Sequence, residues 1–227
     1  MAAPIVLVHG LATSSARTWG ETGWLDLLAD AGRTAVPIDL PGHGTAASVD
    51  DPASIADLEG WVLDHLPDEA VAAVGFSLGA RLLLTVAAAH PERFDRLVVA
   101  GVGRNLFEHD RARGERIARA IAGDADPDDP EAGHFDALAS APDVDRDILA
   151  ELMTRPRPHL DAGVLATVTM PVLVVCGDQD FAGPAEPLVE ALPDARLVTL
   201  RRTDHFATPK SFDFLDAALD FLDAAPV

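Results

Sequence analysis

The stretch Gly75-Phe76-Ser77-Leu78-Gly79 separates two segments of different character. Before it, Ala70-Val71-Ala72-Ala73-Val74 is short and apolar, as a buried strand is. After it, Ala80 to His90 is rich in helix formers and is stopped by Pro91. A strand that becomes a helix across so few residues must turn sharply. The turn predicts a strained backbone at Ser77 and small residues two places to either side, where both neighbours are glycine. It lifts the Ser77 hydroxyl out of the sheet, next to the positive end of the following helix. Strand, Gly-x-Ser-x-Gly and helix in that order form the context in which a serine serves as a nucleophile.

The rest of the chain alternates in the same way. Expected strands are Ile5–Val8, Thr34–Asp39, Leu97–Gly101, Pro171–Cys176 and Ala195–Leu200, besides the one before Ser77. Pro37 puts the second of them near a sheet edge or at a strand start. Expected helices are Trp19–Ala31, closed by Gly32, and Ile55 to about Leu66, capped by Ser54 with Asp57 and Glu59 in its first turn. A short one covers Pro187–Leu192. Another covers Ser211–Leu222, with Phe212, Leu215, Leu219 and Leu222 at helical spacing. Strands alternating with helices imply a parallel sheet covered on both faces.

Between the fourth and fifth strands, residues 105–169 are polar and helix-prone, with Arg111–Ile121 and Val144–Met153 as helices and Asp126-Pro127-Asp128-Asp129-Pro130 as a break. The segment leaves from the carboxyl end of a strand, where α/β sheets place their ligands. It is expected to form a helical cap over a core made of residues 1–104 and 170–227.

With 227 residues and 48% hydrophobic side chains, the chain suits one globular α/β domain. A formal net charge of −20 repels nucleic acid and anionic membranes. Lysine occurs once, at Lys210. Arg-rich, Lys-poor usage fits a GC-rich coding sequence; adaptation to high salt is the alternative. The single cysteine, Cys176, sits in an apolar strand and excludes an internal disulfide. Met1-Ala2-Ala3-Pro4 has no basic segment, and the apolar run after it is too short for a secretory signal. No stretch approaches membrane-span length. A soluble cytoplasmic protein is expected, with oligomeric state open.

Leu7-Val8-His9-Gly10, Asp39-Leu40-Pro41-Gly42-His43-Gly44, the turn at Ser77, Gly177-Asp178-Gln179-Asp180 and Asp204-His205-Phe206 together resemble the α/β-hydrolase superfamily, along nearly the whole chain. The resemblance implies the α/β-hydrolase fold: a mostly parallel sheet of about six strands with helices on both faces and a helical cap insertion. Members usually begin with an antiparallel hairpin. This chain starts at the His-Gly strand, so the hairpin is expected to be trimmed.

The family pattern also assigns chemical roles. A serine hydroxyl needs a base within hydrogen-bond reach. His205, after the last strand, is that base. A carboxylate must then fix the imidazole tautomer. Gly-x-x-Asp selects Asp180, and leaves Asp178 to hold the loop. Backbone N–H groups of Leu78 and, by resemblance, Leu11 would receive an oxyanion. Phe76, Val102, Phe107, Phe181 and Phe206 are candidate pocket residues along with Leu11 and Leu78, or are ordinary core. Arg81 either binds substrate carboxylate or pairs with an acidic neighbour. His9 and His43 sit in turn motifs and are structural. His109, His134 and His159 lack metal-ligand spacing, so no metal is expected.

A serine in the turn points to acyl chemistry on a small-molecule ester, thioester or lactone, with no cofactor required. Two alternatives remain. One is the SHCHC synthase family of menaquinone biosynthesis, whose pattern is similar at the His-Gly strand, the Asp39–Gly44 turn and Gly75–Arg81. That family usually has tyrosine where Phe76 stands and glycine where Ala80 stands. The other is a binding protein of the same fold with little or no turnover.

Overall fold

The structure is a computed structural model that describes residues 3–49, 52–108, 110–155 and 158–224. In chain order its elements are β1 (Ile5–Val8), α1 (Trp24–Asp30), β2 (Ala35–Ile38), α2 (Pro52–Ala56), α3 (Leu58–Asp64), β3 (Val71–Phe76), α4 (Leu78–Ala89) and β4 (Phe94–Ala100). Then come α5 (Arg111–Ile121), α6 (Pro130–Ala139), α7 (Arg146–Thr154), α8 (Ala162–Leu165), β5 (Val172–Gly177), α9 (Glu186–Ala191), β6 (Ala195–Leu200) and α10 (Phe212–Phe221).

Among the described residues the six strands form one sheet in the order β2-β1-β3-β4-β5-β6, and every pairing is parallel. β2 is an edge strand, as Pro37 required. Successive side chains on a strand point to opposite faces. Val6 and Val8 enter a core shared with Val62, Leu83 and Leu188, while Ile5 and Leu7 enter another with Trp24, Leu28 and Phe214. Helices α3, α4 and α9 therefore cover one face, and α1 and α10 the other. Burial on both faces is why the strands read as unbroken apolar runs.

Helices α5 to α8 form an inserted region between β4 and β5. It has a small core of its own: Ile117 and Ile121 of α5, Phe135 and Ala139 of α6, and Leu149 of α7. Ala12 belongs to this cluster, and Leu11 and Phe206 pack against it. The inserted helices thus rest on the loops that follow β1 and β6.

Several local expectations are corrected. The helix expected at Trp19–Ala31 is two pieces, a wide π-type turn at Ala16–Gly20 and then α1. Gly23, at φ 85°, breaks the run, and Trp19 and Trp24 pack edge to face across the break. Gly32 does close α1: its N–H donates to Ala29 O, and that of Arg33 to Leu28 O. The Ile55–Leu66 helix is also divided. Asp57 is not a first-turn residue but the N-cap of α3, accepting from Gly60 N–H at 2.8 Å. On α10, Phe212 is 85% exposed, whereas Phe214 is fully buried. The apolar face therefore runs through Phe214, Leu215, Ala218 and Leu219. Helix α6 replaces the expected break: Asp129 caps it and Pro130 occupies its first turn. β4 begins at Phe94, ahead of the expected Leu97.

Candidate active site

Ser77 lies between β3 and α4 with φ 53° and ψ −111°, a conformation costly for any residue with a Cβ. The two glycines that bracket it are demanded by close approach. A Cβ on Gly75 would lie 2.7 Å from the backbone of Ala80, and one on Gly79 would lie 2.2 Å from Val8 O. Helix α4 can approach β1 this closely only with a bare backbone at Gly79. The hydroxyl stands at the start of α4, where helix N–H groups have no intrahelical acceptor.

His205 lies beyond β6 and is 4% exposed. Its Nε2 is 3.0 Å from Ser77 Oγ. Its Nδ1 is 2.9 Å from Asp180 Oδ1 and 3.0 Å from Asp180 Oδ2. A carboxylate only accepts, so Nδ1 carries the proton and Nε2 is free to accept from the serine hydroxyl. Asp180 is itself buried and also accepts from Ala182 N–H at 2.8 Å. Asp178 is exposed and accepts from Thr203 N–H at 3.3 Å, across the β5 and β6 loops. The sequence-derived partners Ser77, His205 and Asp180 are thus brought together, and Asp178 stands apart in a loop.

The His9-Gly10-Leu11 strand end lies against the serine: a Cβ on Gly10 would be 3.3 Å from Ser77 Cβ. Leu78 opens α4, so its N–H has no acceptor within the helix. His9 and His43 are fully buried, with ring centroids 5.0 Å apart. His9 Nε2 accepts from Leu40 N–H at 3.1 Å, and His43 Nε2 from Ala12 N–H at 3.0 Å. Burial lowers the pKa of both, that of His43 to about 3. Asp39 accepts from Ser15 N–H at 2.7 Å and Thr45 N–H at 2.8 Å. These hydrogen bonds hold its carboxyl below its ordinary range against the opposing effect of burial.

The candidate pocket residues separate into groups. Phe181 and Phe206 flank His205, with ring centroids 4.2 and 5.6 Å from the imidazole. Phe76 also approaches His205, at 4.9 Å, but belongs to the core on the α10 face and is 7% exposed. Val102 is buried in the opposite core, and Phe107 packs against that same core. Arg81 Nη2 donates to Pro158 O at 2.5 Å, so its printed contact is a carbonyl after α7 rather than an acidic side chain.

Three residues of the inserted region were not singled out as site neighbours from sequence. His134 stacks on Phe206 with centroids 3.7 Å apart, and Phe135 meets Phe206 edge-on at 5.5 Å. The Arg113 guanidinium lies 3.9 Å from the Phe181 ring centroid and pairs with Glu131. The helix-start signal Asp129-Pro130-Glu131 could have placed His134 and Phe135 on a helix. His109 lies outside the described residues.

Two clefts of about 410 and 430 Å³ lie elsewhere, one beside Pro209 and Phe212, the other beside Cys176 and Pro184; neither is lined by Ser77 or His205. Among the described residues, no group of three His, Cys, Asp or Glu could hold a metal ion. Among them, too, no helix is long and apolar enough to cross a membrane.

A family model described as the alpha/beta hydrolase fold matches residues 3–120, half of the chain. The chain belongs to the α/β hydrolases. A 2-hydroxy-6-oxononadienedioate/2-hydroxy-6-oxononatrienedioate hydrolase of Cupriavidus pinatubonensis is 26% identical to this α/β hydrolase over 238 residues, covering 89% of the chain and 80% of the relative. Among solved structures, a hydrolase from Pseudomonas aeruginosa PA01 matches with a TM-score of 0.76 at 24% identity, over 98% of this chain and 91% of that one. The 2-hydroxy-6-oxo-6-phenylhexa-2,4-dienoate hydrolase of Rhodococcus sp. strain RHA1 matches with a TM-score of 0.73 at 24% identity, over 99% and 91%. The resemblance to SHCHC synthases finds no support in these matches.

Proposed function

We propose that the protein is a serine hydrolase that cleaves a small carboxylic ester, thioester or lactone through an acyl-enzyme. The observation that carries this reading is the imidazole of His205, within hydrogen-bond distance of Ser77 on one side and Asp180 on the other. In this reading Ser77 Oγ attacks the acyl carbon while His205 Nε2 takes its proton. Asp180 holds the tautomer and stabilises the imidazolium. The N–H groups of Leu78 and Leu11 receive the oxyanion, aided by the N-terminus of α4. His205 then gives the proton to the leaving oxygen or sulfur, and water releases the acid by the reverse sequence. Phe181 and Phe206 supply an apolar flank for the acyl or leaving group, which suits a neutral substrate portion.

The test is hydrolysis of p-nitrophenyl butyrate by wild type and Ser77→Ala. Loss of the nucleophile should lower kcat by ~10⁴–10⁶-fold with the fold intact. Residual activity above about a tenth of wild type would overturn the serine mechanism.

A second reading is carbon–carbon bond hydrolysis, favoured by the similarity to the Cupriavidus relative over most of both chains. It uses the same residues but demands that the proton from His205 reach a carbon leaving group. Incubation with 2-hydroxy-6-oxononadienedioate, followed by analysis for the two acids formed by water addition across one C–C bond, separates the readings. Efficient cleavage, with poor turnover of simple esters, would displace the esterase reading.

A further inference from the structure

The peptide that presents the Leu11 N–H is followed by a residue in an unfavourable conformation. Ala12 has φ 59°, in the left-handed region that costs a residue with a Cβ about 1–2 kcal/mol. Both of its backbone polar groups are held by side chains. Its N–H donates to His43 Nε2 at 3.0 Å, and its carbonyl accepts from Arg17 Nη2 at 3.0 Å. The other ring nitrogen of His43, Nδ1, is 2.9 Å from Pro41 O. A carbonyl only accepts, so Nδ1 bears the proton and Nε2 is left with its lone pair facing Ala12. The ring is fully buried and needs no charge for this arrangement.

The turn that carries His43 is fixed from a third side. Gly44 N–H donates to Asp143 O at 2.7 Å, Asp145 N–H donates to Gly42 O at 2.9 Å, and Arg17 Nε lies 3.3 Å from Asp143 Oδ2. The segment before α7 therefore braces both side chains that grip Ala12.

We propose that His43 is a positioning residue of the reaction: by accepting the Ala12 N–H it holds the adjoining peptide so that the Leu11 N–H faces the developing oxyanion. This rests on the reading of Leu11 as an oxyanion donor. His43 touches no reacting atom. Its effect is geometric, and belongs to the transition state rather than to substrate binding. His43→Asn keeps a donor near Nδ1 but removes the acceptor for Ala12. His43→Gln can set its amide oxygen near the place of Nε2 and keeps that acceptor.

The experiment has two arms. In the kinetic arm, His43→Asn is expected to lower kcat for p-nitrophenyl butyrate by about 10- to 100-fold with little change in KM, less than the ~10²–10³-fold of losing a donor outright. His43→Gln should recover most of that loss. Equal losses in both variants, or a change confined to KM, overturn the proposal. The second arm follows assigned amide and imidazole signals by NMR, with an alkyl trifluoromethyl ketone as the oxyanion-forming probe. In wild type the ketone should shift the Leu11 amide proton downfield, and in His43→Asn the shift should shrink. An unmoved Leu11 signal in wild type defeats the oxyanion reading. A shift of equal size in both proteins defeats the role of His43 alone. Should His43→Asn fail to fold, wild type still decides, since a His43 ring protonated on Nε2 is incompatible with the proposal.

Discussion

Asp180 meets the Nδ1 edge of His205 with both carboxylate oxygens, at 2.9 and 3.0 Å. Two residues earlier in the chain, Asp178 is exposed and turned toward Thr203 N–H. The pair makes an internal control. Asp180→Asn should lower kcat by about 10⁴-fold, because an amide in that place favours the wrong imidazole tautomer. Asp178→Asn should keep kcat within about threefold of wild type, since its bond to Thr203 is long and partly exposed. Steady-state kinetics on one ester measure both. Equal effects would remove Asp180 from the role assigned to it.

The close approach of α4 to β1 gives a stability prediction. A methyl group on Gly79 would stand 2.2 Å from Val8 O and 2.6 Å from His9 O, both backbone atoms that cannot swing away. Gly79→Ala must push the helix from the sheet and disturb the Ser77 turn with it. A loss of about 3 kcal/mol or more, or failure to fold, is expected, in the range of severe overpacking. Gly114→Ala is the control, since nothing lies within 4 Å of a Cβ there and alanine is the better helix former. Urea midpoints of the two variants should therefore move in opposite directions.

The buried histidines predict how stability responds to mild acid. Burial lowers the His43 pKa from 6.5 to about 3, and lowers that of His9 in the same direction. Below 6.5 the unfolded chain takes up protons that the folded chain refuses, so stability falls as pH drops through that value. Above it the term vanishes. Between pH 6.5 and 5, ahead of the carboxylate range, the urea midpoint of wild type should decline. His43→Gln, with one such histidine fewer, should decline less steeply. Parallel slopes for the two proteins would contradict the burial argument.

The strands were readable because both sheet faces are covered: each became a continuous apolar run, and β6 matches its expected limits, Ala195–Leu200. The turn at Ser77 was readable because a sharp strand-to-helix passage leaves few residue choices on either side. Helix α6 was misjudged because two prolines and three aspartates were taken as a break. Asp129-Pro130 is instead a cap followed by a first-turn proline. Phe76 shows a different kind of limit. It shares a face of β3 with Ala72 and Val74 and so goes to the core. Strand alternation alone gives that face, but a place next to the nucleophile suggested a pocket. The stack of His134 on Phe206 joins distant parts of the chain, and no local pattern announces it.

Arg81 separates two chemistries. It lies one helical turn after Ser77, on α4, and its Nη2 donates to Pro158 O beyond α7 at 2.5 Å. A guanidinium that ties the helix of the nucleophile to the inserted region acts as a brace. It is not thereby presented to a carboxylate of the substrate, which is the use the lyase resemblance implies for this position. Arg81→Met removes the donor and keeps much of the aliphatic stem. It should lower the thermal midpoint slightly, yet keep kcat/KM for p-nitrophenyl butyrate within about tenfold of wild type, or ~1.4 kcal/mol. The companion assay supplies the menaquinone-pathway intermediate to wild type and follows pyruvate. Efficient pyruvate release that disappears in Arg81→Met would assign the guanidinium to substrate and replace ester hydrolysis with elimination. Retained ester turnover without pyruvate leaves Arg81 as the link between α4 and the segment after α7.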